Sequence, residues 1–219
     1  MPIVLTHDDL ANGLLGEYEA LAQLAEGLDE AAWATPTRCT GWDVRDAIGH
    51  VAGLAADVVA GAPGGRTADE QAAATRVNTP SEVAAQLRAS CAALRSLVEV
   101  LDTAAWEGPS GVPDLTLADG VEGLWFDAYM HGDDARAALC MEPDRGPSLT
   151  ASVLHLARIL TNRGWGPVTL TLDGLPALDI GAGGRKITGD PYQFVLVGSG
   201  RADAATLGLD ARVNVYADQ

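Results

Sequence analysis

This 219-residue chain has few cysteines, few basic residues and no long apolar run. Its three cysteines, at 39, 91 and 140, form no CxxC pair and cannot all pair with one another, which excludes a disulfide framework and points to a reducing cytoplasm. Lysine and arginine total 14 against 30 acidic residues, a net charge of −16. That balance disfavours nucleic acid and anionic membrane surfaces, because both are polyanions. No stretch approaches the ~18 uninterrupted apolar residues of a membrane span. The N-terminus lacks the basic start and apolar run of a signal peptide. Internal repeats, low-complexity tracts and coiled-coil heptads are missing as well. Gly181-Ala-Gly-Gly184 reads as a turn and not a phosphate loop, since no GxxxxGK[ST] is present. No Ser/His/Asp arrangement stands out. Few Lys, Phe and Asn beside abundant Ala, Gly, Asp and Arg fit a GC-rich genome.

An apolar fraction of 47% supplies a core, and the length allows one or two domains. The first ~140 residues read as helices by their periodicity. Thr6-His-Asp-Asp9 opens the first with a capping-box pattern, and Leu10, Leu14, Leu21, Leu24 and Leu28 follow at helical spacing. The loop Thr35-Pro-Thr-Arg-Cys-Thr-Gly41 interrupts them. A second helix runs from about Asp43 to Ala60 and stops at Gly61-Ala-Pro-Gly-Gly65. Thr79-Pro80-Ser81-Glu82 starts a third, with Val83, Leu87, Cys91, Leu94, Val98 and Leu101 on one face. The fourth, Thr116–Leu139, is apolar on most sides and so is expected to be buried on most sides. Composition shifts near Pro143–Pro147. A helix at about Leu149–Leu160 precedes the alternating Val168-Thr-Leu-Thr-Leu172, which reads as a strand. Leu175–Ile180, Arg185–Thr188 and Ala211–Tyr216 read as further strands, with a helix from Asp190-Pro191 through Val197. The expected fold is α+β: a four-helix bundle over 1–142 and a small α+β domain over 143–219.

The chemistry concentrates on two residues of the fourth helix. Leu117, Val121, Leu124, Ala128, Ala135 and Leu139 form an apolar stripe, and Asp127 and His131 fall on or beside it. A carboxylate and an imidazole directed into a core are costly unless something binds them. At i and i+4 they project from one helical face, as two ligands of a metal ion would. His50, on the shoulder of the second helix's apolar stripe (Val44, Ile48, Val51, Ala55, Val58), is the third candidate. Two histidines and a carboxylate are a common set for catalytic zinc with an open fourth position, and they suit other divalent metals too. Asp134, three residues after His131, and Asp46, four before His50, are candidate partners that would orient the imidazoles from behind. Arg45 and Arg136 read as helix-to-helix or interdomain ion pairs, Cys91 as core, Trp42 as an anchor of the second helix, and His7 and His155 as surface or helix-end residues.

Cys39-Thr-Gly-Trp-Asp-Val-Arg-Asp-Ala-Ile-Gly-His50 and Phe126-Asp-Ala-Tyr-Met-His131-Gly-Asp-Asp134-Ala-Arg136 together resemble a known family. They are similar to the mycothiol-dependent maleylpyruvate isomerase-like proteins, within the wider DinB-like metal-binding superfamily. The resemblance extends to Ile187-Thr-Gly-Asp-Pro-Tyr-Gln-Phe-Val-Leu-Val-Gly-Ser-Gly-Arg201 and so covers most of the chain. It places the family's histidine ligands on His50 and His131 and its acidic ligand on Asp127, where the isomerase itself is expected to carry Glu. It implies a DinB-like bundle with a small C-terminal domain, a divalent metal (usually zinc) and the thiol cofactor mycothiol, as in actinobacterial mycothiol S-transferases. Arg201 is then the candidate to bind an anionic group of the cofactor. A thiol on such a metal loses its proton near neutral pH and becomes a nucleophile. A His2Asp set with a divalent ion carries +1, and a thiolate brings it to neutral.

The expected activity is therefore S-transfer to, or isomerisation of, a small electrophile by an enzyme of the cytoplasm. A homodimer is compatible with it. Three rivals share the scaffold: a metal-dependent hydrolase using bound hydroxide, a non-catalytic metal-binding or sensor module, and a degenerate, metal-free bundle.

Overall fold

A computed structural model describes the chain from Ile3 to Ala217. It divides into two compact units, Thr6–Pro143 and a second that, among the described residues, is formed by 144–217 with 3–5.

The first unit is helical. Its long helices are α1 (His7–Glu26), α3 (Val44–Val59), α5 (Pro80–Val98) and α7 (Leu117–Ala138); α2 (Glu30–Trp33), α4 (Ala68–Thr75) and α6 (Thr103–Glu107) are short. All four long helices start on a capping box. The N-cap side chain of Thr6, Asp43, Thr79 or Thr116 accepts from the backbone N–H three residues on, and the acid there (Asp9, Asp46, Glu82, Asp119) reaches back. These reciprocal bonds fix each helix's first turn, and with it the direction of every side chain that follows. Around the bundle α1 touches α5 and α7, and α3 touches the same two, so α3 and α7 lie side by side. α4 packs along α3, and α6 along α7. The core between the long helices holds Tyr18, Leu21, Ile48, Leu87, Tyr129 and Met130. Nine α-helices are present among the described residues, none long and apolar enough to cross a membrane.

The second unit carries α8 (Pro147–Asn162), three strands and α9 (Pro191–Gly198). β1 (Val168–Leu172) lies between β2 (Leu178–Ile180), antiparallel to it, and β3 (Arg185–Gly189), parallel to it. Val168, Leu170 and Leu172 are buried and the threonines between them are not, which is the alternation expected of a strand with one covered face. α8 packs on β2 and α9. The whole is α+β, as the periodicities predict.

Two expectations fail here. Ala211–Tyr216 is not a strand: Ala211–Val213 is a 3-10 turn capped by Asp210, and the Asn214 side chain accepts from Tyr216 N–H. Val213 and Val215 are buried alternately because this turn tucks them inward, with Val215 N–H donating to the Gly198 carbonyl, and not because a ladder forms. His155 is no surface residue either; it is buried on the inner face of α8. The three short helices of the first unit escape a periodicity reading because four to eight residues complete too few turns to show one.

Close packing makes one glycine decisive. A Cβ at Gly13, on α1, would lie 2.2–2.5 Å from three atoms of the Trp125 ring on α7, and that indole is itself buried. Helix propensity alone favours Gly→Ala by about 1 kcal/mol, whereas forcing a methyl into a filled core costs about 1–3 kcal/mol and more when the neighbour is rigid. Gly13→Ala should therefore lower the unfolding midpoint in a denaturant titration, and a raised midpoint would show that α1 and α7 are not packed this closely.

Candidate metal centre

His50 enters from α3, and Asp127 and His131 come from α7, one turn apart. Because the two helices are neighbours, three donors predicted from separate segments meet across one seam. His50 Nε2 lies 3.5 Å and 3.3 Å from the two Asp127 oxygens, and His131 Nε2 lies 3.6 Å from Asp127 Oδ1. One ligand atom from each residue falls within 4.8 Å of those of the other two. The imidazole rings stand edge to face, 4.8 Å between centroids.

These separations are long for charge-assisted hydrogen bonds, which run about 2.7–2.9 Å. They match what a tetrahedral ion imposes instead, since donors about 2.0–2.1 Å from one ion stand about 3.3 Å apart. The donor set therefore fits a divalent metal. Burial works against a charged His50, but the adjacent Asp127 carboxylate, with Gln71 and Asp69, outweighs it and lifts the pKa above the ordinary histidine value. Burial, reinforced by the charge of Asp127, also holds the Tyr18 hydroxyl of α1 far above its usual range, so this phenol stays neutral.

Behind His131 stands Asp134, with no exposed side-chain surface. Its Oδ2 lies 3.4 Å from His131 Nδ1 and accepts the Cys39 thiol at 3.0 Å, while Oδ1 accepts from Arg38 Nε at 2.6 Å. Arg38 also reaches Asp133 through Nη2. Burial disfavours the Arg38 charge, yet the two carboxylates outweigh it and hold the guanidinium more firmly protonated than usual.

Arg38, Cys39 and Trp42 belong to the loop before α3. It is pinned by a bridge between Pro36 and Asp43 and by Thr37 N–H bonding to the Trp42 carbonyl. Gly41 takes a left-handed φ of 83° in the turn. Trp42 is half-buried and does more than anchor α3. Its ring faces both imidazoles, at 5.3 Å from His50 and 5.4 Å from His131, and its Nε1–H donates to Asp69 of α4 at 2.8 Å. Sequence reasoning missed Arg38 and Asp133 and gave Trp42 a lesser task. No local periodicity marks them, because each is placed by contacts with distant segments.

Asp46 does not orient His50. Its carboxylate is held by Arg76 (2.6 and 3.2 Å) and closes the α3 capping box with the Asp43 N–H, and no hydrogen bond joins it to His50. Arg45 pairs with Asp43, and Arg136 of α7 with buried Glu17 of α1. Cys91 is buried, with its thiol toward the Leu15 carbonyl. In the second unit, Arg201 follows α9 and one guanidinium nitrogen approaches the Ser199 carbonyl at 3.4 Å.

The family described as "Mycothiol maleylpyruvate isomerase N-terminal domain" matches residues 14–136. The chain belongs to this family. Among solved structures it is similar to the crystal structure of the mycothiol-dependent maleylpyruvate isomerase, with 18% identity, a TM-score of 0.62, and 88% of this chain and 87% of that one covered. It is similar also to a histidine-to-alanine mutant of that isomerase, with 16% identity, a TM-score of 0.59, and 92% of each chain covered. At these identities the isomerase structures establish a shared fold across both units. None of the curated proteins matches the chain by sequence.

If the Asp46 carboxylate is engaged as described, Asp46→Ala and Arg76→Ala should each lower stability, and the double variant should lose less than the sum of the two. Strict additivity in thermal melts would show that the pair is not formed.

Proposed function

We propose that this protein is a divalent-metal-dependent enzyme that activates mycothiol for transfer to, or isomerisation of, a small electrophile. His50, Asp127 and His131 are its metal ligands, and the metal is zinc. The observation that carries this reading is the convergence of two imidazole Nε2 atoms on one carboxylate, at ligand-to-ligand spacing, in a member of the mycothiol maleylpyruvate isomerase family.

Bound there, a divalent ion would supply Lewis-acid activation, lowering the pKa of a thiol until it is nucleophilic near neutral pH. The chain's own residues set the conditions. Asp127 contributes the one negative charge of the ligand set, so a divalent ion and a thiolate together reach neutrality, and a neutral centre is tolerated where water is scarce. The Asp134 carboxylate, with Oδ2 3.4 Å from His131 Nδ1 but outside hydrogen-bond geometry, favours by its charge a proton on Nδ1 and so a lone pair on Nε2, toward Asp127. Trp42 walls the imidazoles with an apolar face. Arg201 is proposed to bind an anionic group of the thiol cofactor, as a planar fork of donors suits a carboxylate. The compartment proposed for this chemistry is the cytoplasm, where low-molecular-weight thiols stay reduced.

Inductively coupled plasma mass spectrometry on protein purified without an affinity tag should find about one divalent ion per chain, absent from His131→Ala. Enzyme turnover of a test electrophile should then depend on added mycothiol. Full metal stoichiometry in His131→Ala would remove this site, and thiol-independent turnover would favour a hydrolase.

A further inference from the structure

We propose that Arg38 is a positioning residue of the metal centre, acting on His131 through Asp134. The proposal rests on the reading of His50, Asp127 and His131 as metal ligands. It starts from a packing oddity: two consecutive residues of α7, Asp133 and Asp134, are carboxylates with almost no exposed surface. A single guanidinium from the loop before α3, more than 90 residues earlier in the chain, reaches both. Arginine's rigid fork can span two carboxylates at fixed angles; a lysine ammonium cannot do so with the same geometry.

The consequence falls on His131. Arg38 Nε takes Asp134 Oδ1, and this leaves Oδ2 as the oxygen that faces Cys39 Sγ and His131 Nδ1. A neutral imidazole carries one N–H and one lone pair. A carboxylate oxygen fixed 3.4 Å from Nδ1, though not in hydrogen-bond geometry, favours by its charge the form with the proton on Nδ1 and the lone pair on Nε2, the atom that looks toward Asp127. With Arg38 gone, Asp134 loses the charged partner that fixes Oδ1, and the oxygen facing His131 is less tightly placed. The half-buried Cys39 thiol, a weak donor on the same Oδ2, fills the remaining space beside the ring.

Cys39, His131 and Asp134 also bring ligand atoms within 4.8 Å of one another, and such a trio invites a second cation. Arg38 argues against it, because a guanidinium bonded to the same carboxylate repels any metal ion placed there. The cluster is therefore the support of the first site and not a site of its own.

Two readouts test this. In 15N-labelled apoprotein, at a pH where the imidazoles are neutral, long-range 15N–1H correlation spectra should show His131 with its proton on Nδ1. Arg38→Met should shift it toward the other tautomer, and Arg38→Lys should restore part of the wild-type pattern. Zinc affinity, read by competition with a chromophoric chelator, should fall about 10–100-fold in Arg38→Met, as for other partners standing behind a ligand, and by less in Arg38→Lys. Asp134→Asn should weaken zinc to a similar degree, and the double variant Arg38→Met/Asp134→Asn no further. A wild-type tautomer together with wild-type zinc affinity in Arg38→Met would overturn the proposal. If that variant does not fold, Arg38→Gln, which keeps a donor toward the buried carboxylates, is put through the same two readouts and decides in its place. Failure of the wild-type protein to take up zinc would strike the ligand reading alone, since the tautomer is read without metal.

Discussion

The contact between α3 and α7 is the constraint from which the rest of the first unit follows. Two imidazoles and a carboxylate pressed into a helix–helix seam are costly without partners, and the Nδ1 atoms of both His50 and His131 are buried there without a hydrogen bond. α4 and α5 pack on α3 as well, and α1 packs on α7. Within that frame the direction of each donor is a matter of helical phase, and phase is set at the first turn. The capping boxes at Asp43 and Thr116 start α3 and α7 at fixed residues, seven positions before His50 and eleven before Asp127. A slip of one residue at either cap would rotate the donors by about 100° and scatter them.

Those caps also give a structural meaning to the acidity of the chain. Asp8, Asp9, Asp46, Asp69, Glu70, Glu82 and Asp119 all stand in first turns, where the exposed N–H groups and the positive end of the helix dipole favour a carboxylate. Asp133 and Asp134 are buried against Arg38. Part of the net charge of −16 is thus placed by helix geometry and by the site, and is not merely a surface coat.

Legibility from sequence followed the range of the interactions involved. The long helices were readable because fifteen or more residues repeat a 3.6-residue period and open on a recognisable cap. Asp127 and His131 were readable as a pair because i,i+4 spacing is local, and His50 joined them from the shoulder of its helix's apolar stripe, a weaker signal that the resemblance in the motif around it strengthened. β1 was readable from Val168, Leu170 and Leu172, but the same alternation misled at Val213 and Val215, where a 3-10 turn buries alternate residues without a ladder. Arg38 could not be found this way at all. It lies in a loop whose Thr, Pro and Gly speak only of a turn, and its partners are fixed by tertiary contact. Asp46 misled for the opposite reason: its i,i+4 relation to His50 is real, but the N-cap and Arg76 compete for its oxygens and win.

The graded exposure of the three donors bears on what kind of metal centre they suit. The His50 side chain is 6% exposed, that of His131 15% and that of Asp127 28%. A structural zinc site closes its sphere with four protein donors and is sealed, whereas a catalytic one keeps three and leaves a side toward solvent. Among the described residues the trio has no fourth protein donor grouped with it, because the nearby Cys39 thiol is turned to Asp134 on the Nδ1 side of His131. The least buried of the three is the carboxylate, so an exogenous ligand would approach from the charged side of the set and leave the apolar wall of Trp42 intact. That asymmetry favours a centre that exchanges a small molecule over one that only ties two helices together.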